Sequence, residues 1–520
     1  MSALPRRQDG RTPVALIAGL LAAAFLATRL ALLWRFPWFV DETTFASFAK
    51  QVHGDAGQLF IAEGDKKGLL ASWLGAALIT LGIDPVTAMR LLAGAGAALA
   101  AACGGLIVRR LYGLREGLLT AALVALGPFF LVTASVGVYD SLVTGLVTAA
   151  VLVALRLAER PRLTTALLLG AVVGAGLLTK PTAWVTAAVL PATLLLIDRT
   201  SAERRRRLLR WSAHAAGALV LAYAIASLAR LTPLYDKPIP IRNQRSLGDI
   251  LGHPGLPLLK DILTNVAWML TELLGYLTFP GLALALAGAV VAWRRRRRPA
   301  AVLAIWAGSV MLSMALLPLT ANARYLATAI VPLAAFVAIG AFAAWDAVLA
   351  RFPQRPRLAR AVAGAGAAAA LLPALVFNAS VLADPATASY PGLDEHQYVT
   401  QQSALTRIGP VVSAIRRAGG PYPVRIDVGP YPQRDDVGPW GLDLRLNGTT
   451  VGDARRFRVF VHGTPAQRAA ARWLLSDGLK SDRAPRPGYR LVLRLPRSDH
   501  GAVMRLYERS GGLRPRSGSR

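Results

Sequence analysis

The sequence predicts a polytopic α-helical membrane protein with about eleven transmembrane helices and a C-terminal extracytoplasmic α/β domain. Three observations predict it. Hydrophobic residues make up 54% of the 520 and charged residues only 17%, against about 25% charged in ordinary soluble domains. Eleven apolar stretches are long enough to cross a hydrocarbon core of about 30 Å as helices. Beyond about residue 378 the apolar runs shorten to strand length, while Pro, Gly, Asp and Arg rise.

The spans are 14–34, 88–108, 117–138, 141–157, 163–179, 182–198, 212–230, 276–293, 300–318, 326–346 and 361–377. The first follows Arg6 and Arg7 and lacks a small-residue cleavage site, so it reads as an uncleaved signal anchor. Basic residues collect in cytoplasmic loops. With a cytoplasmic N-terminus, the inner loops hold 24 basic and 6 acidic residues, and the outer loops before residue 378 hold 12 and 11. Most of the net charge of +30 is therefore a topological signal, and no nucleic acid is needed to explain it. The expected setting is a bacterial inner membrane, crossed many times.

Residues 69–83 are apolar but span only about 22 Å as a helix, so they are expected at the outer interface. Residues 262–275 read the same way, ahead of the span at 276–293. The membrane domain is thus 1–377, with a first outer loop at 35–87. The soluble domain is 378–508, with strand-like runs YPVRIDV, FRVFVHG and YRLVLRL and helical patterns at 400–418 and 465–480. Residues 509–520 read as a disordered tail. The single Cys103 lies within a span, so no intramolecular disulfide forms.

The outer loops carry the candidate chemistry. Asp41 and Glu42 follow the aromatic run Trp34, Phe36, Trp38, Phe39, and Phe45, Phe48, Ala49 and Val52 then mark one apolar helix face. A helix lying on the membrane surface is expected, with Asp41 as its cap or as a working carboxylate; paired carboxylates can act as a general base or hold a cation. Lys66 and Lys67 precede the short apolar segment, as phosphate ligands or as ordinary interfacial lysines. Asp140 sits in the tight turn GVYDS, and Lys180 in the turn broken by Pro181. The fourth outer loop offers His253, a weak signal that also fits a plain surface histidine. Arg324 and Tyr325 open the span at 326–346, where an arginine can fork onto a phosphate or anchor a helix. Together these residues suit a reaction between a lipid phosphate and a polar molecule. A transporter or flippase of lipid-linked substrates is the alternative, but it should carry ionisable residues inside its spans, and only Arg29 lies well within one.

In order along the chain, Asp41-Glu42, Lys67-Gly-Leu-Leu-Ala-Ser-Trp73, Asp140, Lys180 and Arg324-Tyr325-Leu326 resemble the motifs of the GT-C membrane glycosyltransferases. The resemblance is to the branch of protein O-mannosyltransferases and lipid A aminoarabinose transferases, over residues 14–346. Gly68-Leu69 stands where that family has a double proline, which leaves Lys66 and Lys67 as rivals for the phosphate. The resemblance implies a polyprenyl-phosphate-linked sugar donor and transfer with inversion to an extracytoplasmic glycan, glycolipid or protein. It implies Asp41 as general base with Glu42 beside it, and Lys67, Lys180, Arg324 and Tyr325 at the donor phosphate. Asp140 would complete an acidic acceptor side, with Lys66 and His253 nearby. Some relatives hold a divalent cation such as magnesium or manganese, for which Asp41 and Asp140 are the candidates. The Ala- and Arg-rich composition fits a high-GC bacterium, hence a decaprenyl or undecaprenyl carrier among its membrane lipids.

Overall fold

The computed structural model describes residues 11–197, 204–236, 245, 247–252, 255–318, 322–400, 408–417, 424–428, 443–444, 446–447, 457–461, 466, 470–476, 487–496 and 503–510. The chain divides into two compact units. One is Met1–Arg35, Glu63–Leu70 and Arg90–Gly392; the other is Phe36–Ala62, Ala71–Met89 and Leu393–Arg520. The sequence division at residue 378 runs differently, because most of the first outer loop clusters with the C-terminal residues.

The helices run α1 (Arg11–Leu32), α2 (Val40–Gly54), α3 (Leu69–Thr80), α4 (Pro85–Leu111), α5 (Leu114–Leu126), α6 (Pro128–Thr133), α7 (Tyr139–Glu159), α8 (Leu163–Thr179) and α9 (Val185–Ala192). They continue with α10 (Arg204–Ala226), α11 (Leu247–Gly252), α12 (Leu256–Arg295), α13 (Arg297–Leu316), α14 (Ala327–Arg351), α15 (Pro356–Ala383), α16 (Gly392–Glu395) and α17 (Ile408–Arg417). Among the described residues, eight helices are long and apolar enough to cross a membrane, and Leu69–Thr80, Leu163–Thr179 and Pro181–Leu196 are shorter.

One expectation changes here. The stretch 117–138 is not one helix. Pro128 lacks the N–H for the next helical bond, and the chain breaks between α5 and α6. Side chains take the carbonyls at the break: Arg29 Nη2 donates to Ala125 O at 3.0 Å and Asn378 Nδ2 to Leu126 O at 2.8 Å. Residues 262–275 do lie ahead of a break: Leu256–Arg295 is two helical stretches joined at a kink at Thr278 (φ 62°, ψ 163°), two residues before Pro280.

In the first unit α7 and α14 are the interior helices, with 83% and 78% of their apolar windows buried, against 6% for α1 and for α15. Small residues let backbones meet, as in membrane bundles generally. A Cβ on Gly288 of α12 would lie 2.8 Å from Gly340 N of α14. Gly96 of α4 likewise faces the backbone of Ser141 and Leu142 in α7.

The second unit holds a five-stranded sheet of β1 (Val424–Val428), β2 (Phe457–Val461), β3 (Trp473–Ser476), β4 (Tyr489–Pro496) and β5 (Val503–Arg509), in the order β2-β1-β3-β5-β4. β1 pairs in parallel with β2 and β3, and β5 pairs antiparallel with β3 and β4. Ile408, Val411, Val412 and Ile415 of α17 form a core with Trp473, Leu475, Met504 and Leu506, and Trp38 packs on its edge. The three strand-like runs in the sequence are strands. The helix expected at 465–480 is instead partly β3, because pairing on both sides overrides the helix propensity of its Ala- and Arg-rich sequence. Arg509 lies in β5 and Ser510 N–H donates to Gly488 O, so the tail begins later than expected; residues 511–520 lie outside the described residues.

The surface helix expected after the first span is α2, and it is more buried than one apolar face would make it. Glu42, Thr43, Ser47 and Lys50 are buried along with Phe45 and Phe48. α3 closes on it through Gly75, where a Cβ would lie 2.8 Å from Ala49 Cβ and 3.0 Å from Met89 Sδ.

Candidate functional site

In the first unit three helix ends converge on Asp140. Val138 in extended backbone starts α7, so Asp140 falls in the helix's first turn, where the free N–H groups favour a carboxylate. Lys180 terminates α8 with extended angles (φ −163°, ψ 138°), and Pro181 prevents continuation. Arg324 sits on the 3-10 turn Ala323–Leu326 that leads into α14. Lys180 Nζ donates to Asp140 Oδ1 at 2.5 Å, and Arg324 Nε stands 3.8 Å from Asp140 Oδ2. Tyr325 supplies an aromatic shelf, with its ring centre 4.4 Å from Lys180 Nζ and 5.7 Å from Arg324 Cζ. Asp140 is 5% exposed and Arg324 6%, so the charges attract with little screening.

The segment Glu63–Leu70 belongs to the same unit. Gly68 abuts the carbonyls of Leu178 and Thr179, immediately before Lys180; a Cβ there would come within 2.7 Å of Leu178 O and closer still to Thr179 O. That explains the glycine where the family pattern has a proline. It also puts half-buried Lys67 one residue from the turn that carries Lys180.

Lys66 points elsewhere. Its backbone is left-handed (φ 54°), a conformation costing roughly 1 kcal/mol or more for a non-glycine residue. Its ammonium donates to Leu234 O at 3.0 Å, to Tyr235 O, and to Glu63 Oε1 at 3.3 Å. An ammonium has three N–H donors, and all are engaged. Burial pushes the Glu63 carboxyl up from its ordinary value, against the pull of Lys66.

Asp41 and Glu42 lie in the second unit, in the first turn of α2. Phe39 is the N-cap, so Asp41 is not, and it remains half-buried. Glu42 is fully buried, and its Oε2 accepts from Phe39 N–H at 3.4 Å. The buried Glu42 therefore fixes the start of the helix that presents Asp41. His253 lies outside the described residues.

The two oxygens of Asp140 face Lys180 and Arg324, and among the described residues no three His, Cys, Asp or Glu side chains gather.

One feature of the second unit has no forewarning in the sequence. Lys50 Nζ and Asp443 Oδ2 form an ion pair at 2.9 Å, with both side chains buried. Asn447 extends it, donating to Asp443 Oδ1 at 2.8 Å and accepting from Phe457 N–H at 3.1 Å. The partners are 393 residues apart, and neither belongs to a recognisable motif.

Residues 66–229 match the family described as dolichyl-phosphate-mannose-protein mannosyltransferase. No curated protein sequence matches the chain. The fold is similar to that of ArnT from Cupriavidus metallidurans in the apo state (TM-score 0.61, 15% identity, 94% of this chain and 97% of that one). ArnT bound to undecaprenyl phosphate aligns over the same shares with a TM-score of 0.56 and 15% identity. The oligosaccharyltransferase AglB from Archaeoglobus fulgidus, with an inhibitory peptide and a dolichol-phosphate, aligns with a TM-score of 0.51 and 13% identity over 88% of this chain and 69% of that one. The chain thus has the fold of the GT-C membrane glycosyltransferases, and the resemblance read from its motifs is borne out by the mannosyltransferase family pattern at residues 66–229.

Proposed function

We propose that the chain is an integral-membrane glycosyltransferase that takes a sugar from a polyprenyl-phosphate carrier. The observation that carries this reading is the buried cluster of Lys180 and Arg324 about Asp140, at the ends of apolar helices. Fixed cations of this kind suit a phosphate attached to a lipid chain. They lower the barrier by stabilising negative charge as it builds on the departing phosphate, without reorganising at the moment of reaction. Lys67 is the third phosphate ligand in this reading, because Gly68 sets it beside the turn that carries Lys180, whereas Lys66 meets Glu63, Leu234 and Tyr235. The names of the similar structures, with undecaprenyl phosphate in one and dolichol-phosphate in the other, support the same donor class.

In this reading Asp41 is the general base. It removes the proton from an acceptor hydroxyl as that oxygen attacks the anomeric carbon, which inverts the configuration. The acceptor is an extracytoplasmic glycan, glycolipid or protein, and the carrier is decaprenyl or undecaprenyl phosphate. The enzyme works in a bacterial inner membrane with its N-terminus cytoplasmic.

The test is transfer from a polyprenyl-phosphate sugar in proteoliposomes. Lys180→Gln should lower kcat/KM by about a hundredfold or more, the scale for losing one group that stabilises developing charge. Asp41→Asn should abolish transfer while leaving lipid-phosphate binding intact. Wild-type turnover in either variant, with the protein folded, sinks the corresponding assignment.

A further inference from the structure

The Asp140 carboxylate has two oxygens facing two cations, which is also how two oxygens of a phosphate monoester would meet them. Lys180 Nζ holds Oδ1 at 2.5 Å and Arg324 Nε lies 3.8 Å from Oδ2. The carboxylate and Arg324 are buried and Lys180 is only partly exposed, so the carboxylate offsets the cost of holding two poorly hydrated cations close together. A lipid phosphate arriving at those cations would meet an anion already there.

We propose that Asp140 is a built-in competitor of the lipid phosphate: it occupies the anion position between Lys180 and Arg324, yields that position when the phosphate binds, and retakes it to expel the product. This rests on the reading of the chain as a polyprenyl-phosphate-dependent transferase. After transfer the carrier retains a phosphate with more charge than the phosphodiester of the donor. That product would bind its cations more tightly than the substrate did and would hold the enzyme. A carboxylate waiting on the same cations offsets the difference and speeds release. Release rather than chemistry limits many enzymes. Asp140 lies in the first turn of α7, so on this proposal it yields the position by rotation about its own side-chain torsions, the helix staying in place.

The sign of one measurement separates this role from a structural one. If Asp140 only held Lys180 and Arg324 in place, removing its charge would loosen them and weaken phosphate binding. If it competes, removing its charge strengthens binding. The measurement is the affinity of full-length protein in nanodiscs for undecaprenyl phosphate, for wild type, Asp140→Asn and Asp140→Ala. We expect both variants to bind about tenfold tighter, the scale of one charge-assisted hydrogen bond removed from competition. Turnover should fall, and inhibition by added undecaprenyl phosphate should strengthen by a similar factor. Equal or weaker binding in the folded variants overturns the proposal but leaves the donor class standing. A wild type that binds no undecaprenyl phosphate overturns both.

A structure of the wild type with undecaprenyl phosphate decides the matter if the variants do not fold. A phosphate oxygen bonded to Lys180 Nζ, with the Asp140 carboxylate more than about 4 Å from it, supports displacement. A bound phosphate with the 2.5 Å contact to Lys180 intact refutes it.

Discussion

At the scale of single residues, Gly68 shows how much of the site depends on backbone approach. Its neighbours are carbonyls of Leu178 and Thr179, which cannot swing aside as a side chain would. Gly68→Ala should therefore cost roughly 1–3 kcal/mol, as overpacked positions do, lower the unfolding midpoint, and reduce donor binding by displacing the turn that bears Lys180. Gly68→Pro, the family's residue, should do the same; wild-type stability in either variant would contradict this packing. Asp140, Lys180 and Arg324 were legible in the sequence because each sits at the end of an apolar run, and the charge alternation put those ends on one side. The surroundings of Lys66 were not legible. They are set by the carbonyls of Leu234 and Tyr235, more than 160 residues away, for which adjacent lysines give no sign.

At the scale of elements, α2 was expected from its apolar spacing, and the helix is there. Its surroundings were not expected, since hydropathy cannot show that a lysine on the polar side is neutralised by a distant carboxylate. The Lys50–Asp443 pair has both partners buried. Removing one charge from such a pair typically costs about 3–5 kcal/mol, while replacing both by apolar groups can be neutral. Lys50→Met and Asp443→Leu should each lower the thermal midpoint of the full chain markedly, and the double substitution should recover most of the loss. Additive losses in the double variant would show that the two side chains are not coupled. The strands at 473–476 and 503–509 were missed for a related reason. Their identity is set by neighbours in the sheet, and β3 lies between β1 and β5 with partners on both edges.

At the scale of the whole molecule, hydropathy recovered the long apolar helices, whereas the second unit is discontinuous in sequence and was read as two pieces. The two units should respond to different insults. In the first, Gly340→Ala would press a Cβ onto Leu284 O and should separate α12 from α14, lowering stability by roughly 1–3 kcal/mol; an unchanged midpoint would contradict that packing. In the second, the hydrogen-bonded Arg472 guanidinium, helped by Arg490, holds the Glu508 carboxyl below its ordinary 4.5. A depressed carboxyl contributes stability that is present above its ordinary pKa and is lost as pH falls through the depressed value. Unfolding of the sheet followed by tryptophan fluorescence should therefore become easier below pH 4.5, and Glu508→Gln should flatten that dependence. An identical acid response in the variant would remove Glu508 from the account. The interleaving of the units also bears on biosynthesis. Lys50 leaves the ribosome 393 residues before Asp443, and at about 5–20 residues per second that interval is roughly 20–80 s. For that time α2 exists without the carboxylate that its lysine meets in the folded chain, so the second unit can close only once the C-terminal residues are made.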